Sequence, residues 1–152
     1  MSPVLRQREL ENLRNARHGR CVACGSDNPQ GLQLRFQALA EGGVEAVFAC
    51  AERFAGYAER LHGGITASLL DSAMTNCLFA CGQAAVTAEL NVRYHAPVAI
   101  GQSAVIRARL EQHSHGMSRV RAELRQDGML KASAWGKFIQ PEHLPGARSR
   151  AA

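Results

Sequence analysis

Hydrophobic and polar positions alternate with period two through most of the second half of the chain. Val86, Ala88, Leu90, Val92 and Tyr94 interleave with Thr87, Glu89, Asn91, Arg93 and His95, and Pro97 ends the run. Residues 104–111, 118–125 and 131–138 repeat the pattern. This is the period of half-buried strands. Asp127-Gly128 supplies a tight hairpin turn between two of them. Nearer the N-terminus, Leu32, Leu34, Phe36 and Ala38 predict a strand against Gln33, Arg35 and Gln37. After the turn Glu41-Gly42-Gly43 comes another, with Val44, Ala46 and Phe48. One apolar and one polar face on every strand argues for an antiparallel sheet.

The period changes once, over residues 63–81. Ile65, Leu69, Ala73 and Cys77 form one i, i+4 row, and Leu70, Met74 and Leu78 form another. Coverage this wide predicts a largely buried helix, stopped by Gly82. The order is two strands, one buried helix, then four strands. The fold class is therefore α+β, with a six-stranded antiparallel sheet wrapped around a central helix of roughly 28 Å. Residues 4–18 predict a further helix, whose loose amphipathicity implies weak packing or a role toward a partner subunit. The domain reading is an N-terminal helical extension over 1–20, one domain over 21–140, and a flexible tail over 141–152.

Composition narrows the class. The chain has 152 residues, 46% hydrophobic and 20% charged, which suits one globular domain. No apolar run reaches the length of a membrane span, and the arginine-rich N-terminus lacks the apolar core of a secretory signal. Five cysteines then read as reduced thiols of a cytoplasmic protein that engages no membrane. The net charge is +5, and all but Lys131 and Lys137 of the 18 basic residues are arginine. Nucleic acid would want more stacking platforms than two tyrosines, one tryptophan and five phenylalanines. A small acidic ligand carrying phosphates accounts for the same excess. Charge alone leaves both open.

Asp71 is the only charged residue between Arg60 and Glu89. An unpaired carboxylate on a buried helix costs several kcal/mol unless it is satisfied or protonated. Gly64, Ser68, Asp71 and Thr75 form one narrow polar stripe, bordered by Ser72 and Asn76, which suggests a cleft. Asp71 either bonds neighbouring hydroxyls and fixes packing, or serves as a general base or nucleophile. At the helix start, His62-Gly63-Gly64 leaves backbone N–H groups without intrahelical partners, at the positive end of the helix dipole. This is a natural site for an oxyanion or carbonyl. Gly63 and Asp71 stand roughly 12 Å apart along one helix, so one carbonyl cannot touch both within a subunit. A site using both needs two antiparallel helices across a two-fold axis, and hence a dimer.

The run His62-Gly63-Gly64-Ile65-Thr66-Ala67-Ser68-Leu69-Leu70-Asp71 resembles the signature of hotdog-fold acyl-CoA thioesterases of the PaaI type. Thr87-Ala88-Glu89-Leu90-Asn91-Val92-Arg93-Tyr94, with Pro97 and Gly101 behind it, is similar to the strand that follows in that family. Cys21-x-x-Cys24-Gly25 and Asn28-Pro29-x-Gly31-Leu32 resemble the opening of one subgroup. The resemblance covers roughly residues 21 to 139. It implies the hotdog fold, a dimer with a continuous sheet or a dimer of dimers, and hydrolysis of acyl-CoA to acid and CoA. In those terms Asp71 activates water or attacks the thioester, Gly63 polarises the carbonyl, and His62 shapes the loop that presents it. Thr87 or Thr75 holds the water. One departure stands out. Relatives place Gln or Asn fifteen or sixteen residues before the acid, where this chain reads Phe54-Ala55-Gly56-Tyr57. Losing such a donor costs roughly 3 kcal/mol of transition-state stabilisation. That loss favours the alternative of a non-hydrolytic acyl-CoA binding or sensing protein on the same fold.

His18-x-x-Cys21-x-x-Cys24 has spacing that suits zinc, with Cys50 as a conceivable fourth ligand. The familiar zinc patterns need a second CxxC or a paired His motif, so the sequence reading is no metal and no prosthetic cofactor, CoA entering as substrate. Arg107, Arg109, Arg119 and Arg121 read as the solvated face of a hairpin or as partners of CoA phosphates. Gly116, in the turn His113-Ser114-His115-Gly116, stands at the hairpin tip. Asn76, Asn91, Arg93, Arg119 and Gly116 are the candidate substrate-binding residues.

Overall fold

In a computed structural model, residues 1–143 are described. Helix α1 (Pro3–Arg17) leads into a cysteine-containing loop. Strands β1 (Gln37–Ala38) and β2 (Val44–Ala49) follow, then helix α2 (Gly63–Ala80). Four strands complete the chain: β3 (Val86–Tyr94), β4 (Ser103–Ser114), β5 (Met117–Gln126) and β6 (Met129–Ile139). All pairings are antiparallel, in the order β1-β2-β4-β5-β6-β3. The proposed tail over 141–152 lies outside the described residues from 144 onward.

The core forms where α2 meets the inner face of the sheet. Leu69, Leu70, Ala73, Met74 and Leu78 of α2 are fully buried against Ile106, Val120, Leu124 and Phe138. Both predicted hairpin turns carry left-handed residues, Asp127 and Gly128 at φ 49° and 74°, and His115 and Gly116 at 52° and 74°. These are the positive-φ pairs that tight antiparallel hairpins require.

Three expectations are corrected. The strand predicted over residues 32–38 pairs with β2 only at Gln37 and Ala38. Leu32 and Leu34 donate their N–H groups to Val22 and Ala23 carbonyls at 2.7 and 3.0 Å. The cysteine loop thus takes the hydrogen bonds that a sheet neighbour would have used, although Leu34 and Phe36 still face the core. Helix α1 is not weakly packed. Leu10 is fully buried, Arg6 reaches the carbonyls of Leu39 and Ala40, and Gln7 accepts from Ala38 N at 2.7 Å. Finally, β3 has no buried face in the single chain. Val86, Leu90 and Tyr94 are all exposed, while Val92 packs partly against the core; β3 is the last strand of the sheet and pairs only with β6.

Candidate active site

The start of α2 is built by its own first residues. His62 is the N-cap, and its Nδ1 accepts from Gly64 N–H at 2.8 Å. This ties down one of the free N–H groups of the first turn. The Gly63 N–H is left without a partner among the described residues. Of the two glycines, Gly63 is therefore the one able to donate outward, while Gly64 is committed to the cap. Tyr94 fixes this turn from β3 by donating its hydroxyl to the Gly63 carbonyl at 2.7 Å. The backbone of Gly56 presses against His62 from the other side. A Cβ there would stand 3.2 Å from His62 Cα and 3.3 Å from its Cδ2.

Two turns further along, Asp71 is partly open to solvent. Its Oδ1 accepts a 2.7 Å hydrogen bond from Thr87 Oγ1 on β3. Ser68 donates back to the Gly64 carbonyl at 2.9 Å. The polar stripe of α2 does face a cleft: Ser68, Asp71, Ser72 and Thr75 line a cavity of about 130 Å³. Its opposite wall is His18, Cys21, Val22 and Ala23 from the end of α1 and the loop behind it. Residue periodicity missed His18. It packs edge-on against Phe79 with ring centroids 5.1 Å apart. Burial pushes its pKa below the usual histidine value, and the Asp71 charge opposes that shift.

The remaining candidates separate into three places. Asn76 is fully buried rather than at the cleft edge, its amide nitrogen donating to the Ser72 carbonyl at 2.9 Å. The helix turn carries it past the cavity into the packing between α2 and the cysteine loop. Asn91 and Arg93 line a groove on the outer face of the sheet with Arg121, Ser133 and Trp135. Arg119 stacks over Trp135 at 4.6 Å, and Glu111 bridges Arg119 and Arg121 at 3.5 and 2.6 Å. In β5, Val120, Ala122 and Leu124 are buried against the helix while Arg119 and Arg121 alternate with them. The arginine face therefore lies across the sheet from Asp71 within one chain. Gly116 sits in the hairpin turn and accepts from Gln140 N at 3.1 Å.

A single helix wrapped by a six-stranded antiparallel sheet, with a carboxylate and a free helix N-terminus on that helix, defines a hotdog protein. Residues 59–133 match the thioesterase superfamily. A variant of phenylacetic acid degradation protein PaaI from Thermus thermophilus shares 25% identity and has a TM-score of 0.66. That match covers 72% of this chain and 94% of that one. A protein of Streptococcus mutans, solved bound to acetyl-CoA, shares the fold at 18% identity and TM-score 0.65, over 70% of this chain and 86% of its own. A further thioesterase superfamily protein, at 24% identity and TM-score 0.73 over 78% of this chain, is matched over only 62% of its own length. No curated protein matches the sequence. Over residues 59–133 the chain thus resembles the thioesterase superfamily, and its fold is that of PaaI-like hotdog proteins. No described helix is long and apolar enough to cross a membrane.

Proposed function

We propose that the protein hydrolyses an acyl-CoA thioester to a carboxylic acid and CoA, at a site shared between two copies of the chain. The carrying observation is the Thr87–Asp71 hydrogen bond at 2.7 Å, which orients a partly open carboxylate at the wall of a cavity. As general base, Asp71 takes a proton from a water, whose oxygen attacks the thioester carbonyl carbon. The oxyanion accepts a hydrogen bond from the Gly63 N–H, the free donor at the positive end of α2. Collapse of the tetrahedral intermediate breaks the C–S bond, and the CoA thiolate takes a proton. If Asp71 instead attacks directly, the C–S bond breaks to release the CoA thiolate, which takes a proton, and water then hydrolyses the mixed anhydride to the acid and free Asp71. Thr75 and the Ser68 hydroxyl line the same cavity.

Asp71 and Gly63 are roughly 12 Å apart on α2, so each catalytic centre pairs Asp71 of one copy with Gly63 of another. The exposed β3 edge, with Val86, Leu90 and Tyr94 uncovered, supports such pairing. CoA as the carrier is supported by the acetyl-CoA held by the Streptococcus mutans protein of this fold. The outer-face arginines Arg93 and Arg119 would meet its phosphates only if that face of one copy adjoins the catalytic centre of another.

The test is thiol release from short, medium, long and aromatic acyl-CoAs by wild type and Asp71→Asn. Turnover abolished by the substitution supports hydrolysis. Acyl-CoA binding without turnover supports the second reading, a non-hydrolytic binding protein. That reading is favoured by one observation. Position 56 carries no amide, and the 3.2 Å approach of a Gly56 Cβ to His62 leaves little room for one.

A further inference from the structure

We propose that His18, Cys21 and Cys24 form a binding site for one thiophilic divalent metal ion of the zinc class. None of the three has a step in the proposed hydrolysis, although His18 and Cys21 line the same cavity as Asp71. They come from the C-cap of α1 and the tight loop behind it.

The geometry begins with the three ligand atoms, which all lie within 4.8 Å of one another. Cys24 Sγ is 3.9 Å from His18 Nδ1. Across a tetrahedral zinc, a thiolate sulfur and an imidazole nitrogen stand about 3.6 Å apart. Closing that gap needs only a small rotation of side chains, not a movement of the backbone. Two sulfurs and one imidazole are a soft donor set that selects zinc-like ions over calcium or magnesium.

The loop holds this arrangement in place. Cys21 N donates to the His18 carbonyl at 3.1 Å, and Gly25 N donates to the Cys21 carbonyl at 2.9 Å. Arg35 Nη1 donates to the Cys24 carbonyl at 3.2 Å. The winding is tight enough that a Cβ on Gly25 would lie 2.4 Å from Cys21 N and 2.5 Å from the Gly19 carbonyl oxygen. Backbone this close can turn both cysteines and the histidine toward one point.

A second observation comes from α2. Cys24 is fully buried, and the polar side chains of Asn76 and Ser72 on α2 are packed beside its sulfur. Asn76 is itself fully buried, and its Oδ1 has no hydrogen-bond partner. A thiol meant only to fill the core would sit against apolar groups, as polar ones are costly there. Polar groups around a sulfur are the outer shell that a metal thiolate uses. Three protein ligands leave a fourth position for solvent, and His18 and Cys21 also line the cavity that reaches Asp71. Cys50 is not a ligand. Its sulfur lies elsewhere, accepting from Gln126 Nε2 at 3.8 Å.

The test uses the full chain, purified under reducing conditions, stripped with a chelator and titrated with Co²⁺ and then Zn²⁺. The expected result is one ion per chain with sulfur-to-cobalt charge-transfer absorption, bleached by zinc. Affinity should fall at least about tenfold in Cys21→Ser and in His18→Ala, and the absorption should vanish in Cys24→Ser. Cys21 and His18 are only half-buried, so those two variants keep the test open if Cys24→Ser does not fold, with circular dichroism as the check. Cobalt bound without charge-transfer absorption would overturn the proposal. So would binding unchanged in Cys21→Ser, or a Cys21–Cys24 disulfide in protein prepared with reductant. None of these readouts depends on thioester hydrolysis, so the two readings fail separately.

Discussion

Replacing Thr87 by valine removes one hydroxyl and keeps the branched shape of the side chain. In the structure that hydroxyl donates to Asp71 at 2.7 Å, within the range of a strong charge-assisted bond. Hydrogen bonds to charged groups contribute about 1.5–3 kcal/mol. Thr87 is exposed in the single chain, so water can replace part of the bond and the lower half of that range applies. At about 1.4 kcal/mol per factor of ten, Thr87→Val should lower kcat/KM roughly 10- to 50-fold. The loss should fall mainly in kcat, since the bond orients the carboxylate and does not hold the acyl chain. Thr87→Ser restores the donor and should stay within about threefold of wild type on the same scale. The assay is continuous thiol release with the best acyl-CoA of the panel, across a range of substrate concentrations. Wild-type kcat in Thr87→Val would refute the reasoning, because the Thr87–Asp71 contact would then be packing only. A serine variant as slow as the valine one would refute it as well.

Further outcomes follow from the same geometry. Gly56→Asn should not restore an amide to the site: its Cβ meets His62 at 3.2 Å. It should cost about 1–3 kcal/mol by urea denaturation through crowding of the helix cap, with no gain in thiol release. Leu10→Ala should cost about 2–5 kcal/mol in the same measurement, because Leu10 is fully buried where α1 meets the core. The neighbouring Cys77 thiol, with a smaller contribution from the Arg6 charge, holds the Cys81 thiol down to a pKa of about 7 against the opposing effect of burial. Alkylation of Cys81 should therefore rise with pH as the thiolate forms, reach half its limiting rate near pH 7, and shift to higher pH in Cys77→Ala. Sedimentation should show a dimer or larger assembly, and Leu90→Glu on the exposed β3 edge should dissociate it with loss of thiol release.

The sequence made legible whatever a local period can encode. Helix α2 ends within a residue of the predicted boundary, because its apolar rows pack all round and Gly82 takes φ 73° to end it. The four C-terminal strands follow from alternation, and their two turns from residues that tolerate positive φ. What stayed hidden depends on contacts between distant segments. The N–H groups of Leu32 and Leu34 bond the cysteine loop instead of a strand, and alternation cannot tell which partner a backbone group will find. The buried Leu10 and the polar tethers of Arg6 and Gln7 make α1 part of the fold, although its own periodicity is weak. His18 reaches the Asp71 cavity from 53 residues away in sequence. The polar stripe on α2 did announce that something would face it, and Asp71 with Thr75 does line a cavity. Which wall completes that cavity was legible only in a weaker signal, the His18-x-x-Cys21-x-x-Cys24 spacing, which lacks the second motif of familiar zinc sites. Ser72 and Asn76, one turn apart on α2, stand beside Cys24, while Asp71, next to Ser72, reaches the cavity. Neighbouring faces of one helix thus carry the carboxylate at the cavity and the polar side chains beside the cysteine loop.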